Sequence, residues 1–351
     1  MRLDPAGVVP KAKAGRRTVR ARCLLAVASG LSLVVAAGCS NSGGAGGSFS
    51  GTLTIAAVPS VDDASIYLAQ KDGLFAAEGL SHVVIKSYAT QSAALSAMLS
   101  AKADIAASDY GDIFYQQTQT SNLRILADGY DATAGVLEVL TLPGSSVKSP
   151  IDLANIKVGL PDENVLTSLE SSGNPASLDA AAATDVLSDY LGNAADSVQW
   201  DPMPEAQEVS ELEHHKLQAI LVSQPYIYQA ESLSGATEVL DAFSGPTANL
   251  PMLGYVSTST WVKDYPTAAA DFQAALAKAQ ANAALTGQVQ SLLPKSTGMS
   301  VQDADLITIG SYPTTTSAMS LEQVVRLMTN YNMIKLDDAP DVPQMIVKPG
   351  G

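Results

Sequence analysis

The fold is decided by residues 53–80, which read LTIAAVPSVDDASIYLAQKDGLFAAEGL. The apolar, partly β-branched run 53–58 predicts a strand, and a polar turn follows it. A helix is expected over 65–71, with Gly73 at its end. Candidate caps for this helix are Ser60, Asp62 and Asp63. Strand, polar turn and helix in this order are the first half of a βαβ unit.

The same alternation of short apolar runs with Ala- and Leu-rich segments continues along the chain. Further strands are expected at 83–88, 105–107, 124–127, 136–142, 156–160, 219–222 and 254–258, with a helix over 180–190. We therefore predict an α/β fold of two lobes, each a mostly parallel sheet flanked by helices, with two hinge crossings. The expected spans are 51–133 for the first part of lobe 1, 134–256 for lobe 2, and 257–351 for a mainly helical return to lobe 1.

The first 50 residues have the composition of an export signal and a linker. A basic stretch precedes an apolar run at 23–37, which is shorter than the roughly 20 residues of a membrane-spanning helix. Small residues then precede Cys39, as in a bacterial lipobox. Residues 1–38 are therefore expected to be a lipoprotein signal peptide, with Cys39 as the lipid-bearing residue and 39–50 as a flexible Gly/Ser tether. The alternative is an ordinary signal peptide followed by an incidental cysteine.

Removal of residues 1–38 leaves 13 basic and 34 acidic residues, a net charge of −21. This charge excludes nucleic acid as a partner, because nucleic-acid binding needs basic patches. Two interpretations of the acidity stay open: solubility at an exposed surface, or a preference for a cationic ligand. Cys23 would leave with the signal and Cys39 would carry lipid, so the folded part is expected to contain no disulfide.

Four motifs resemble those of ABC-transporter binding proteins for nitrate, sulfonates, taurine and thiamine precursors. The first is the pattern Y-L-A-x-x-x-G-L-F-x-x-E-G-L at 67–80. The others are a helix with the following strand at 94–106, the start of the second lobe at 149–159, and Gln224-Pro225-Tyr226. Two glycines that are usual in these motifs are replaced here, one by Ala101 or Lys102 and the other by Asn155.

The resemblance implies a type II periplasmic-binding-protein fold, a Venus flytrap with the ligand in the cleft between its lobes. It implies an extracytoplasmic protein, anchored to the cell membrane through lipid on Cys39, that acts as a monomer. The protein would bind a small polar organic solute and deliver it to an ABC permease with its ATPase. A sulfonate, a pyrimidine or thiamine-precursor-like compound, and another neutral or cationic organic molecule are all candidates. The alternative is a surface lipoprotein of the same fold that acts as a ligand sensor or binds a partner protein.

In open α/β sheets, ligands lie beyond the carboxyl ends of the strands, near helix N-termini. The residues that follow the expected strands are therefore the candidate ligand-binding residues. They are Ser60, Asp62, Asp63, Gln91, Ser92, Ser108, Asp109, Tyr110, Asp131, Asp162, Asn164, Gln224 and Tyr226. For each Ser and Asp the alternative is a helix cap or turn, and for Tyr226 it is a place in the core.

Binding proteins for α-amino acids resemble this fold but usually place an arginine after the third strand to bind the carboxylate. The stretch 109–122 contains no Arg or Lys, and several Asp residues lie close to it in the expected fold. Neutral or cationic solutes are therefore favoured over strongly anionic ones.

An enzyme is the minor alternative, because the thiamine-precursor branch includes a pyrimidine synthase that uses a histidine and iron. This chain has only His82, His214 and His215. The pair lies at an expected exposed helix end, where adjacent side chains point about 100° apart and rarely share a metal. The cysteine cluster of the pyrimidine binders is absent. We therefore expect no catalytic residue, no metal and no cofactor.

Overall fold

The expected alternation of strands and helices is present in the computed structural model, which describes residues 51–161, 177–296 and 298–349. The first block contains β1 (Leu53–Ala57), α1 (Ala64–Lys71), α2 (Leu74–Ala77), β2 (Val83–Ser87), α3 (Gln91–Leu99), β3 (Ile105–Asp109), α4 (Tyr110–Thr120) and β4 (Leu123–Asp131). The turns of the opening motif form as expected, because Gly73 and Gly79 both have positive φ, at 67° and 103°.

The second block and the return segment follow in the same pattern. The second block contains β5 (Leu137–Thr141), β6 (Lys157–Pro161), α5 (Leu178–Leu191), β7 (Gln199–Met203), α6 (Glu205–Glu213), β8 (Ala219–Ser223), α7 (Tyr226–Ser234) and β9 (Thr237–Asp241). The return contains β10 (Pro251–Thr258), α8 (Ser259–Asp264), α9 (Pro266–Ala283), α10 (Thr286–Ser296), α11 (Val301–Ala304), α12 (Ala318–Asn330) and α13 (Val342–Met345). Short 3₁₀ turns lie at 150–153, 192–197, 245–247 and 336–338.

The strands form two five-stranded sheets, ordered β2-β1-β3-β10-β4 and β7-β6-β8-β5-β9. In the first sheet only β10 runs against its neighbours β3 and β4, and in the second only β5 runs against β8 and β9. The remaining four strands of each sheet share one direction. The predicted two-lobed α/β fold with mostly parallel sheets is therefore confirmed.

The end of the second lobe lies earlier than expected. Strand β10 pairs with β3 and β4 of the first sheet, with Gly254 opposite both Ser108 and Asp128. The chain has thus returned to the first lobe at Pro251, and the expected boundary at 256 is wrong. The physical reason is that 251–257 are all buried. A strand covered on both faces gives a continuous apolar run, which does not mark where the strand begins.

The return segment also contacts both lobes through α12. This helix packs against α4 and β10 of the first lobe and against α5 of the second. The hydroxyl of Tyr331 donates a hydrogen bond of 3.2 Å to Asp185 of α5, and the Gln323 amide donates one of 2.8 Å to the carbonyl of Pro246. The lobes are therefore joined by α12 as well as by the chain crossings at 132–136 and 242–250.

The expected signal peptide at 1–38 and the tether at 39–50, with Cys39, lie outside the described residues. Within the described ranges, none of the helices combines the length and the apolar character that crossing a bilayer requires.

Candidate functional site

A cleft of about 470 Å³ opens between the lobes, beyond the carboxyl ends of the parallel strands. The first lobe contributes the loop 58–62 after β1, the start of α3 and the end of β3. The second lobe contributes the end of β6, the starts of α5 and α6, and the segment 223–229 after β8. Met252 and residues 298–300, together with Asp303, complete the wall from the return segment. Both lobes therefore face one cavity.

Six of the sequence-predicted site residues line this cleft: Ser60, Asp62, Gln91, Asp109, Gln224 and Tyr226. Four come from the first lobe and two from the second, so the structure brings together residues more than 160 positions apart in the chain. That these side chains bind a ligand stays a prediction. Asp162 and Asn164 lie outside the described residues.

Tyr110 is placed in the core of the first lobe and not on the cleft wall. Its side chain is 0% exposed, and its hydroxyl donates a hydrogen bond of 3.1 Å to Asp128. The ring lies over Gly254, where a Cβ atom would come within 2.6 Å of it. The missing side chain at Gly254 therefore makes the space into which the ring turns.

Four other predicted residues lie outside the cleft lining and make hydrogen bonds within the protein. The carboxylate of Asp63 accepts a hydrogen bond of 3.1 Å from the Val58 N–H, and Ser108 Oγ donates one of 3.3 Å to the Gln91 carbonyl. Ser92 hydrogen-bonds Asp112, and Asp131 pairs through its backbone with Ser311. None of these four is among the described residues that line the cleft. The side chains of Asp63 and Ser108 thus hold the local backbone, whereas Ser92 bonds a side chain of α4.

Asp109 is both a cleft residue and the N-cap of α4. Its carboxylate accepts hydrogen bonds from the N–H groups of Gly111 at 2.6 Å and Asp112 at 3.4 Å, and the side chain is only 2% exposed. Burial, followed by the negative charges of Asp179 and Asp112, raises the pKa of Asp109 well above its usual value, although the two hydrogen bonds oppose this. The ionised form of Asp109 is therefore disfavoured in the folded protein.

Three acidic cleft residues were not predicted: Asp179, Glu205 and Asp303. Glu205 begins α6 directly after β7, and its carboxylate accepts a hydrogen bond of 2.6 Å from the Ser223 N–H. The same rule that selected the other candidates would have found it, had β7 been recognised. Asp179 lies in the first turn of α5, and Asp303 lies in the return segment, where no strand end marks it.

The cleft has polar and aromatic walls besides its carboxylates. The Tyr130 hydroxyl accepts a hydrogen bond of 2.8 Å from the Gly310 N–H, and its ring meets Tyr312 edge-on at 5.4 Å. Tyr312 in turn donates a hydrogen bond of 2.6 Å to the carbonyl of Val61. Tyr226 and Phe243 lie on the second lobe. The rings of Tyr130, Tyr226 and Phe243 line the cleft and can contact the apolar part of a solute, while the carboxylates and amides accept hydrogen bonds.

The histidine pair lies away from the cleft. His214 and His215 are exposed just after α6, and the His214 ring lies 2.7 Å from the Ser210 carbonyl oxygen through Nδ1. In the described part of the chain, no group of three or more His, Cys, Asp or Glu side chains is arranged to hold a metal ion.

Residues 60–191 match the family model described as NMT1/THI5 like. This span contains three of the four motifs quoted above, so the resemblance stated from the sequence is confirmed. No curated protein matches the sequence.

Solved structures share this fold over most of the chain. The periplasmic aliphatic sulphonate binding protein SsuA from Escherichia coli matches with a TM-score of 0.65 and 16% identity over 85% of this chain and 92% of that one. The alkanesulfonate-binding protein SsuA from Xanthomonas axonopodis pv. citri, bound to MOPS, matches with a TM-score of 0.65 and 12% identity over 84% and 98%. The periplasmic nitrate-binding protein NrtA from Synechocystis PCC 6803 matches with a TM-score of 0.59 and 14% identity over 84% and 86%. At these identities the likeness shows the fold, which is that of periplasmic binding proteins.

Proposed function

We propose that this chain is the substrate-binding protein of an ABC importer: it captures a small organic solute between its lobes and delivers it to a permease. The observation that carries the proposal is the cleft itself. It is lined from both lobes, lies at the carboxyl ends of the strands, and has a volume of about 470 Å³. Small-molecule sites in proteins measure roughly 300 to 1,000 Å³ and lie at such strand ends.

The similar solved proteins support this role, since they are named for binding sulfonates or nitrate, two of them as periplasmic proteins. Each of those proteins is named for binding and not for a reaction. We accordingly propose a binding protein without catalytic activity, placed outside the cytoplasm. Anchoring through lipid on Cys39 belongs to the same proposal and rests on the small residues before that cysteine and the Gly/Ser-rich residues after it.

Delivery to a permease requires that the loaded protein differ in shape from the empty one. The two chain crossings at 132–136 and 242–250 provide a hinge of the kind that closes around ligands in periplasmic binding proteins. Closure would bury the solute against both lobes at once, and this burial would supply the free energy that holds the loaded form.

The test is a thermal-shift screen over sulfonates, pyrimidines, polyamines and aromatic acids, followed by small-angle scattering of the protein with each stabilising compound. We expect at least one compound to raise the melting temperature and to reduce the radius of gyration. A hit that leaves the scattering profile unchanged would contradict a closing hinge. A permease gene and an ATPase gene beside this one would further support transport.

A further inference from the structure

The charged side chains among the described residues that line the cleft are all acidic. Five carboxylates line it: Asp62, Asp109, Asp179, Glu205 and Asp303. None of the described lining residues is Lys, Arg or His. A solute that enters this cavity therefore meets a negative potential from both lobes.

Two of these carboxylates belong to segments that meet across the lobes. Asp109 ends β3 of the first lobe, and Asp179 lies in the first turn of α5 in the second. The lobes come close here, because a Cβ atom built on Gly111 would lie 3.4 Å from Cβ of Leu178. The charge of Asp179 acts on Asp109 strongly enough to shift its titration. A cation between the two carboxyl groups would favour their ionised forms, which the empty protein disfavours at Asp109.

Side chains already accept hydrogen bonds from the first N–H groups at three of the helix N-termini near the cleft, those of α3, α4 and α5. Thr90 caps α3 by accepting a hydrogen bond from the Ala93 N–H, and Ser177 caps α5 in the same way at Ala180. At α4 the cap is Asp109 itself, which brings a carboxylate to the positive end of the helix. An anionic solute would compete with these side chains and with five carboxylates.

Polar groups without a protein partner also point to a ligand that donates hydrogen bonds. The Gln91 side chain is 8% exposed, lines the cleft and has no hydrogen-bond partner in the described part of the chain. On the opposite lobe, Oε1 of Gln224 is buried and likewise without a partner among the described residues. An unpaired buried acceptor is destabilising, so a donor from the ligand would stabilise the complex.

We infer that the solute is an organic cation with N–H groups, a protonated amine or amidine on an apolar body, held between Asp109 of one lobe and Asp179 of the other. This inference rests on the proposed function and names the substrate class of that same cleft. Gln224 accepts a further N–H from the solute, and the rings of Tyr226 and Phe243 contact its apolar body. The cation neutralises both lobes at once, so binding and closure are coupled.

Four probes with one phenyl body separate the contributions of charge and hydrogen bonding. Benzamidinium carries a positive charge and N–H donors, benzamide has donors without charge, phenyltrimethylammonium has charge without donors, and benzoate is an anion. We would titrate each into the purified full chain by calorimetry. Benzamidinium is expected to bind most tightly, and benzoate not at all. Asp109→Asn and Asp179→Asn should each weaken the binding of benzamidinium about 30-fold.

Asp109→Asn keeps the cap of α4, since Asn caps helices as well as Asp does. The matched control is Asp264→Asn at the exposed end of α8, which removes the same charge outside the cleft and should leave affinity unchanged. Tighter binding of benzoate or benzamide than of benzamidinium overturns the inference, as does full benzamidinium affinity in both cleft variants. An uncharged or anionic hit from the wider screen overturns the inference and leaves the proposed function standing. No binding by any probe or screened solute overturns both.

Discussion

Asp109 at the end of β3 and Asp179 at the start of α5 lie in segments of different lobes that meet at Gly111 and Leu178, and after burial the charge of Asp179 contributes to the raised pKa of Asp109. The pair destabilises the empty protein, since burial and like charge both disfavour ionised Asp109. The same pair stabilises the complex when a positive ligand lies between the lobes. Function and stability therefore oppose each other at this position.

Asp109→Asn should stabilise the empty protein at neutral pH. A carboxyl group whose pKa is raised on folding adds its full contribution to the free energy of unfolding below its ordinary pKa of 3.8. This contribution is lost as the pH rises through the raised pKa. Asn has no such titration and keeps the cap. We expect the variant to gain on the order of 1 kcal/mol over wild type near pH 8, and little near pH 4, by urea unfolding. Lower stability of the variant near pH 8 would contradict the raised pKa.

Just after the first hinge crossing lies a second buried acid, Glu138, whose pKa is also raised. Glu138 on β5 is 8% exposed, and burial, followed by the charges of Glu238, Glu231 and Asp241, raises its pKa from 4.5 to about 7. The protonated form of Glu138 stabilises the folded protein, and this stabilisation is lost as the pH rises through about 7. Glu138→Gln should therefore be more stable than wild type by about 2 kcal/mol near pH 8, and nearly equal to it near pH 4. The exposed Glu322→Gln on α12 is the control, and an equal gain there would argue against a specific effect of Glu138.

Much of the first lobe could be predicted from the sequence because its signals are local. The run 53–58 alternates with a helix that ends at Gly73, and that glycine has the positive φ for which the residue is suited. The helix expected at 180–190 is present as α5. Strand ends could likewise be placed, so the loop 58–62 and Asp109 were found.

Side-chain directions and irregular strands could not be predicted in this way. Tyr110 follows a strand like the other candidates, but its ring turns inward because Gly254, far away in the chain, leaves room for it. Strand β7 contains Pro202, which is unusual in a strand, so Glu205 behind it was missed. The first failure depends on a contact between segments distant in sequence, and the second on a residue that is atypical of strands.

The close approach of Gly254 to Tyr110 gives a stability test. A Cβ atom there would lie 2.6 to 2.8 Å from three atoms of the buried ring and its hydroxyl. Because neither backbone nor ring can move freely, Gly254→Ala should destabilise the protein by about 1 to 3 kcal/mol. Gly287→Ala on α10, with open space around it, is the matched control and should be neutral or slightly stabilising. Equal stabilities of the two variants in urea would contradict the packing described.

The proposed anchor depends on Cys39 alone. Replacing it by Ser removes the acyl acceptor, so Cys39→Ser should move the protein from the membrane to the soluble fraction of the periplasm or medium. Cys23→Ser, inside the expected signal peptide, should leave membrane association unchanged. Fractionation followed by immunoblotting measures both. Retention of Cys39→Ser in the membrane would count against a lipoprotein.

Calorimetry on Tyr226→Ala tests most directly whether the cleft between the lobes is the binding site. Tyr226 lies on the cleft wall of the second lobe, whereas His214 is exposed away from it. With a solute found by the screen, loss of the aromatic wall should weaken binding about 30-fold, or about 2 kcal/mol, and His214→Ala should bind as wild type does. Circular dichroism would verify that both variants are folded. Undiminished affinity in Tyr226→Ala, or a large loss in His214→Ala, would contradict a binding site between the lobes.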